Sequence, residues 1–270
     1  MQWLQSHRAL GWAVVGVVLV LGCTAAAEQV PVLYTEGLVR GFLVLRTLEG
    51  DTIAGGELKQ LLREGRVTNQ LTFRFKDGSI HDETAVFTQR RRFRLLSYRL
   101  VQKGPVFPVP MDVSIDGLGG QVAVRYRDED GEEKVETGQQ QLPADVSNGM
   151  VLTLVKNIAP GTQETVVSML ATTPEPRLVK LKITALGEEP FSAGGIRHQA
   201  IHYVVKVDIG GFTGLLAKLL GKQPPDSHVW IVRGDRPGFV KAERPFYLGG
   251  PLWRIELASP VWSQTEGEAE

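Results

Sequence analysis

QLTFRFKDGSIHDETAVF, residues 70–87, is the stretch whose reading decides the fold. Leu71, Phe73 and Phe75 recur at every second position before Asp77-Gly78, and Ala85 and Phe87 do so after it. A period of two marks a strand with one face turned inward. Asp-Gly between two such runs is a strong hairpin signal, because the turn needs positive φ there. The stretch reads as a β-hairpin. It also gathers Asp77, His81, Asp82 and Glu83 beside Phe73, Phe75 and Phe87, so it poses a choice between an acid–base cluster and a charged strand face.

The length of the turn settles which acid faces inward. With Asp77-Gly78 as a two-residue turn, Phe75 pairs with Ile80, Arg74 with His81 and Phe73 with Asp82. His81 and Glu83 then share the wet face of Arg74. Asp82 falls among the phenylalanines, where a carboxylate is costly unless paired. A three-residue loop moves the register by one and sends His81 and Glu83 to the side of Ala85 and Phe87. The plainer reading is a hairpin whose inward acid meets a basic partner or sits at the sheet rim. The sharper one is a general acid or base with a pKa raised by burial, with His81, Asp82 and Glu83 as candidate catalytic residues.

The same period recurs along the chain. Val122, Val124 and Tyr126 alternate ahead of an Asp130-Gly131 turn, and residues 179–183 alternate strictly. Ile201, Tyr203, Val205, Val207 and Ile209 fall on one side of a further strand, and residues 228–232 and 252–257 complete the set. Two short helices are expected: one over 143–156, capped by Asp145 or Ser147, and one over 214–221. The fold class is mainly β, a large antiparallel sheet or β-sandwich with one or two short helices. Residues 28–262 form a single large β domain, with a candidate seam at 172–176, and 263–270 form a disordered acidic tail.

The 270 residues carry 30 Lys+Arg against 30 Asp+Glu, and no nucleic-acid footprint shows at the scale of the whole chain. His7 and Arg8 precede an uncharged apolar run from Ala9 to Leu21, then small residues follow to Ala27. Basic start, apolar middle and small-residue end read as a signal peptide over 1–27. The expected address is the periplasm or the exterior. Ala25-Ala26-Ala27 fits one cleavage pattern. Val20-Leu21-Gly22-Cys23 fits another, in which Cys23 becomes a lipid anchor and attaches the protein to the outer membrane.

Other constellations are weaker. His198 and His202 have the spacing of metal ligands on a helix, but on a strand four residues span roughly 13 Å, so no metal is expected. Residues 89–103 hold six cations, among them Arg90, Arg91 and Arg92, and no acid. They read as pairing with Asp82, Glu83 or the acids near 128–133, or as attracting anionic headgroups or a polyanion. Leu215, Leu216, Leu219 and Leu220 form a plug, a lid over an apolar ligand or a membrane-touching segment. Nucleophile elbows, phosphate loops and zinc patterns are missing, and no cofactor is expected.

Successive antiparallel strands behind an export signal, with a Leu-Pro-Ala-Asp helix at 142–156, resemble the uncharacterised periplasmic proteins near the LolA/LolB-like lipoprotein-handling fold. The resemblance covers residues 35–260 and implies a curved sheet that wraps helices and shelters acyl chains. The expected function is a non-catalytic cell-envelope protein that binds or carries an apolar or lipid ligand. Two alternatives stand beside it: a structural or protein-interaction module of the envelope, and a hydrolase that uses Asp82 or Glu83 with a histidine.

Overall fold

The computed structural model describes residues 29–128, 130–193, 196–208 and 224–258. The expected signal segment with Cys23, the leucines 215, 216, 219 and 220, and the acidic tail lie outside the described residues.

The fold is mainly β: the described residues form one 14-stranded antiparallel sheet and one short helix. In chain order the elements are β1 (Val39–Arg46), β2 (Thr52–Arg63), β3 (Arg66–Phe75), β4 (Ile80–Gln89), β5 (Phe93–Lys103), β6 (Met111–Asp116), β7 (Gln121–Arg127), β8 (Glu133–Gln139), α1 (Val151–Lys156), β9 (Thr165–Leu170), β10 (Leu178–Ala193), β11 (Ile196–Asp208), β12 (Ser227–Val232), β13 (Gly238–Arg244) and β14 (Trp253–Leu257). β8 back to β1 runs as a meander. β1 then pairs with β14, and the order continues down to β9. The stretch 172–176 is part of the turn that joins the paired strands β9 and β10.

The sheet is curled on itself. Arg244 of β13 lies 2.9 Å from Glu83 of β4, although the two strands stand five positions apart in the order. On a flat sheet that separation is about 24 Å, at roughly 4.8 Å per strand. The inward side chains of both arms therefore share one core, which includes Leu45, Phe73, Phe87, Leu95, Ile115, Ile183 and Ile255.

Antiparallel connectivity places the turns at two ends. Among the described connections, the proximal rim carries β2–β3, β4–β5, β6–β7 and β12–β13, beside residues 29–38. The distal rim carries β1–β2, β3–β4, β5–β6, β7–β8, β9–β10 and β13–β14. At the distal end Phe75, Phe107, Phe246, Tyr247 and Trp253 pack ring against ring at 5.4–6.1 Å. At the proximal end the segment around α1 and the residues before β1 close the interior. Asn157 is fully buried. Its Oδ1 accepts from the backbone N–H groups of Leu33 and Tyr34, and its Nδ2 donates to Thr153 O. Glu36 accepts from Gln60 and pairs with Lys156 at 2.5 Å.

α1 is shorter than the sequence suggests. It starts at Met150, which caps it without a side-chain bond. Asp145 and Ser147, the expected caps, are spent on β9 instead: Asp145 Oδ2 accepts from Ser168 Oγ, and Ser147 Oγ donates to Ser168 O. Holding the sheet edge outweighs capping a six-residue helix, because β9 would otherwise bury unpaired backbone groups.

Candidate functional site

The opening hairpin takes the longer of its two registers. Phe75 N–H donates to Ser79 O at 2.9 Å, and Gly78 N–H donates to Phe75 O at 3.1 Å, so Lys76-Asp77-Gly78 forms a three-residue loop. Asp77 selects this geometry by accepting both the N–H and the hydroxyl of Ser79, with Gly78 at φ 87°. Phe73 consequently pairs with His81 and Leu71 with Glu83. His81 and Glu83 face the core, while Asp82 faces outward and accepts from Gln70 and Thr72. The two-residue turn, with Asp82 among the phenylalanines, is not the one adopted.

Inside the sheet the two residues join a polar cluster from three strands. Glu83 Oε1 accepts from the Tyr98 hydroxyl at 2.9 Å, and Oε2 accepts from Arg244 Nη2 at 2.9 Å. Gln102 Nε2 donates to Phe246 O at 2.6 Å and stands 3.1 Å from His81 Nδ1. His81 Nε2 lies 3.8 Å from Glu83 Oε2 and has no hydrogen-bond partner. Phe73, Phe107 and Phe246 surround the imidazole, the last with centroids 4.8 Å apart.

Burial pushes the Glu83 carboxyl up, but Arg244, with His81 and Tyr98, outweighs it and holds the group well below the usual carboxylate range. Burial pushes His81 down, so the ring stays neutral. Burial and the neighbouring Glu83 push the Tyr98 hydroxyl well up. Glu83 is thus an ionised anchor with both oxygens engaged, and a carboxylate held so low is a weak proton acceptor. The cluster ties β4 and β5 to β13. Sequence reasoning found His81 and Glu83 and foresaw a basic partner for the inward acid. It missed Arg244 as that partner, since 161 positions separate the pair and no local pattern links them.

A second cluster lies on the outer face of the other arm. His202 is buried there, although its strand position reads as surface. Trp230 stacks on it with centroids 4.2 Å apart. His202 Nδ1 is 2.6 Å from Glu189 Oε1, its Nε2 is 2.8 Å from His228 Nδ1, and Trp230 Nε1 donates to Glu189 Oε2. Lys241 Nζ sits 4.1 Å from the Trp230 ring centre. His198 stacks on Phe191 instead, so the two sequence-paired histidines do different things. Among the described residues no group of three or more His, Cys, Asp or Glu is placed to hold a metal ion.

On the outer face of β4–β8, Thr84, Arg99, Ser114, Ala123 and Thr137 stand side by side across five strands. The small side chains of Thr84, Ser114, Ala123 and Thr137, with Arg99 among them, line a groove of about 400 Å³. Arg99 is held there by Asp112 at 2.8 Å.

The proximal rim is the most distinctive surface. Arg63, Arg66, Arg90, Arg91, Arg233 and Arg236 project from three of its turns and are exposed. No ion pair holds any of the six among the described residues. Glu83 is taken by Arg244 and Asp82 by Gln70 and Thr72, so Arg90 and Arg91 do not find the expected partners in these two acids. Exposed apolar residues crowd the same end: Leu38 at 78%, Leu118 at 58%, Leu257 at 54% and Leu62 at 46%, with Val39 and Leu61. Among the described residues the distal rim carries Leu48, Leu178 and Leu248 of that kind. Its described turns hold the acids Glu49, Asp51, Asp77, Asp128, Asp130, Glu132 and Glu175. Glu64 and Asp235 share the arginine-bearing turns, and Lys76 and Arg177 share the acid-bearing ones, so among the described residues the proximal end is richer in arginine and the distal end richer in acids without a complete separation.

No family model matches the chain, and no curated protein matches it. A beta-barrel-like protein of the domain of unknown function DUF1849, from Brucella abortus, is similar in structure at 11% identity and a TM-score of 0.45. The match covers 88% of this chain and 100% of that one.

Proposed function

We propose that this is a non-catalytic protein of the cell envelope that binds lipid, with the proximal rim as the lipid-binding face. The observation that carries the reading is the coincidence of six unpaired arginines and the exposed leucines on one end of the molecule. Each cation near an anionic headgroup layer contributes about 1 kcal/mol, and each leucine that enters the interface adds roughly 1.5–3 kcal/mol when fully buried. Neither set alone gives firm attachment. Together they match the two-signal logic of peripheral binding. The reading moves the ligand from a sheltered interior, which the lipoprotein-handling resemblance implied, to the outside. It keeps the export signal and the Cys23 anchor as proposals, since both would bring the rim to a membrane.

The test is sedimentation with vesicles. The exported chain is mixed with vesicles of neutral lipid and of neutral lipid plus an anionic phospholipid. Binding is expected to the anionic vesicles only, to weaken as salt rises, and to fall at least tenfold in an Arg63→Glu/Arg90→Glu/Arg91→Glu variant. Equal binding by that variant, or none by the parent, would overturn the reading.

A further inference from the structure

The two edges of the open sheet are treated differently. β9 is covered: Ser147 N–H donates to Ser168 O, Ser168 N–H donates to Asp145 O, and the Asn148 amide bonds both backbone groups of Leu170. β8 pairs with β7 on one side and with no strand on the other among the described residues, and all seven of its residues are exposed. A strand with no buried side chain is held by its ladder and by exposed side-chain contacts such as Arg125–Glu133, which is marginal in water.

Which backbone groups point outward follows from the hairpin. Gln140 N–H donates to Gly120 O, and Asp128 N–H donates to Glu132 O. Both are hydrogen-bonded pairs, and the register between them is unbroken from Gln121↔Gln139 to Arg127↔Glu133. Hydrogen-bonded and non-bonded pairs alternate in an antiparallel ladder. The even-numbered residues of β8 therefore bond to β7. The N–H and C=O groups of Glu133, Val135, Thr137 and Gln139 face out of the sheet.

We propose that β8 is a self-pairing edge, where a second copy of this chain adds its own β8 antiparallel about a two-fold axis at Val135. In that register Val135 opposes Val135 as a hydrogen-bonded pair, and Glu133 opposes Thr137 on either side. Lys134 opposes Glu136 twice, so opposite charges meet. An axis at Lys134 or Glu136 would instead set like charges face to face. Lys134 also lies 3.3 Å from Asp128 of its own chain, a contact with which the second copy's Glu136 would compete. Lysine often protects an edge from pairing. Here a glutamate two residues on makes the same edge self-complementary. A seven-residue ladder is smaller than a standard interface, so the dimer depends on concentration.

Light scattering across a concentration series of the full chain tests this. The mass is expected to rise from 29.7 kDa toward twice that value. Lys134→Glu and Glu136→Lys are each expected to weaken association about tenfold, since two attractive pairs become repulsive. The combined Lys134→Glu/Glu136→Lys variant is expected to regain it. Val135→Pro blocks an outward N–H that β7 does not use, so it is expected to give a monomer with an unchanged thermal unfolding curve. A parent that stays monomeric throughout, a double swap that fails to associate, or a Val135→Pro variant that still dimerises would each overturn the proposal.

Discussion

Glu83 shows how a single buried carboxylate is held by its neighbours. Its neighbours on the strand are chemically suggestive, yet both of its oxygens are bonded, one to Tyr98 and one to Arg244. The cost of burying a carboxylate is offset only while those partners remain. Glu83→Gln would leave the Arg244 guanidinium without its counter-charge. A fully buried pair broken in this way loses about 3–5 kcal/mol. The Arg244 side chain is 31% exposed, so water recovers part of that, and a loss of about 2 kcal/mol is expected. The urea midpoint of Glu83→Gln, of Arg244→Met and of the pair together measures it. The double variant should lose clearly less than the two singles added. Strict additivity would mean that this pair does not tie β4 to β13. The sequence made the presence of an inward acid legible, because both turn lengths force one among the phenylalanines. It left Arg244 unseen, because a period of two says which face a residue takes and nothing about which distant strand curls over it.

At the level of elements, about half of the strands and the Asp-Gly turns at 77–78 and 130–131 were legible, and the exact turn length and the helix cap were not. Residues 66–75 and 121–127 coincide with β3 and β7, since alternation is a local property. The hairpin's register turned on Asp77 bonding Ser79, a choice of one residue that reverses every side chain downstream. α1 was overestimated for a related reason: Asp145 and Ser147 match a cap, but the edge of β9 claims them. The turn into α1 depends on Gly149, at φ 69°, where an added Cβ would stand 2.9 Å from Ala85 Cβ and 3.1 Å from Tyr98 Cε2. Gly149→Ala thus meets both backbone strain and overpacking and is expected to cost about 1–3 kcal/mol. Gly37→Ala is the control, with no atom within 4 Å of its added Cβ, and should stay within about 0.5 kcal/mol. Thermal unfolding of the two variants compares them. Equal stability would show that the 149 turn is not a fixed support of the proximal closure.

For the whole molecule, balanced composition hides an uneven distribution. Thirty cations and thirty acids cancel in the sequence, but antiparallel connectivity sends alternate turns to opposite ends. Among the described turns most of the arginines thereby gather at one end and most of the acids at the other, with Glu64 and Asp235 left among the arginines. A net charge of zero then gives no guide to surface behaviour, because a headgroup layer meets one end at a time within a Debye length of about 8–10 Å. The proposed lipid face implies an orientation, and an orientation can be read with a polarity-sensitive ring. Leu38→Trp places an indole on the proximal rim at a site already 78% exposed, and Leu248→Trp places one on the distal rim at a site 48% exposed. Trp is at ease where an apolar body meets a wet boundary, so neither change should disturb the fold. With anionic vesicles the emission of Leu38→Trp is expected to shift to the blue beyond the parent's own change, and that of Leu248→Trp is not. A shift at both positions would indicate adsorption without orientation. A shift only at the distal position would place the contact on the acidic end and remove the arginines from the mechanism.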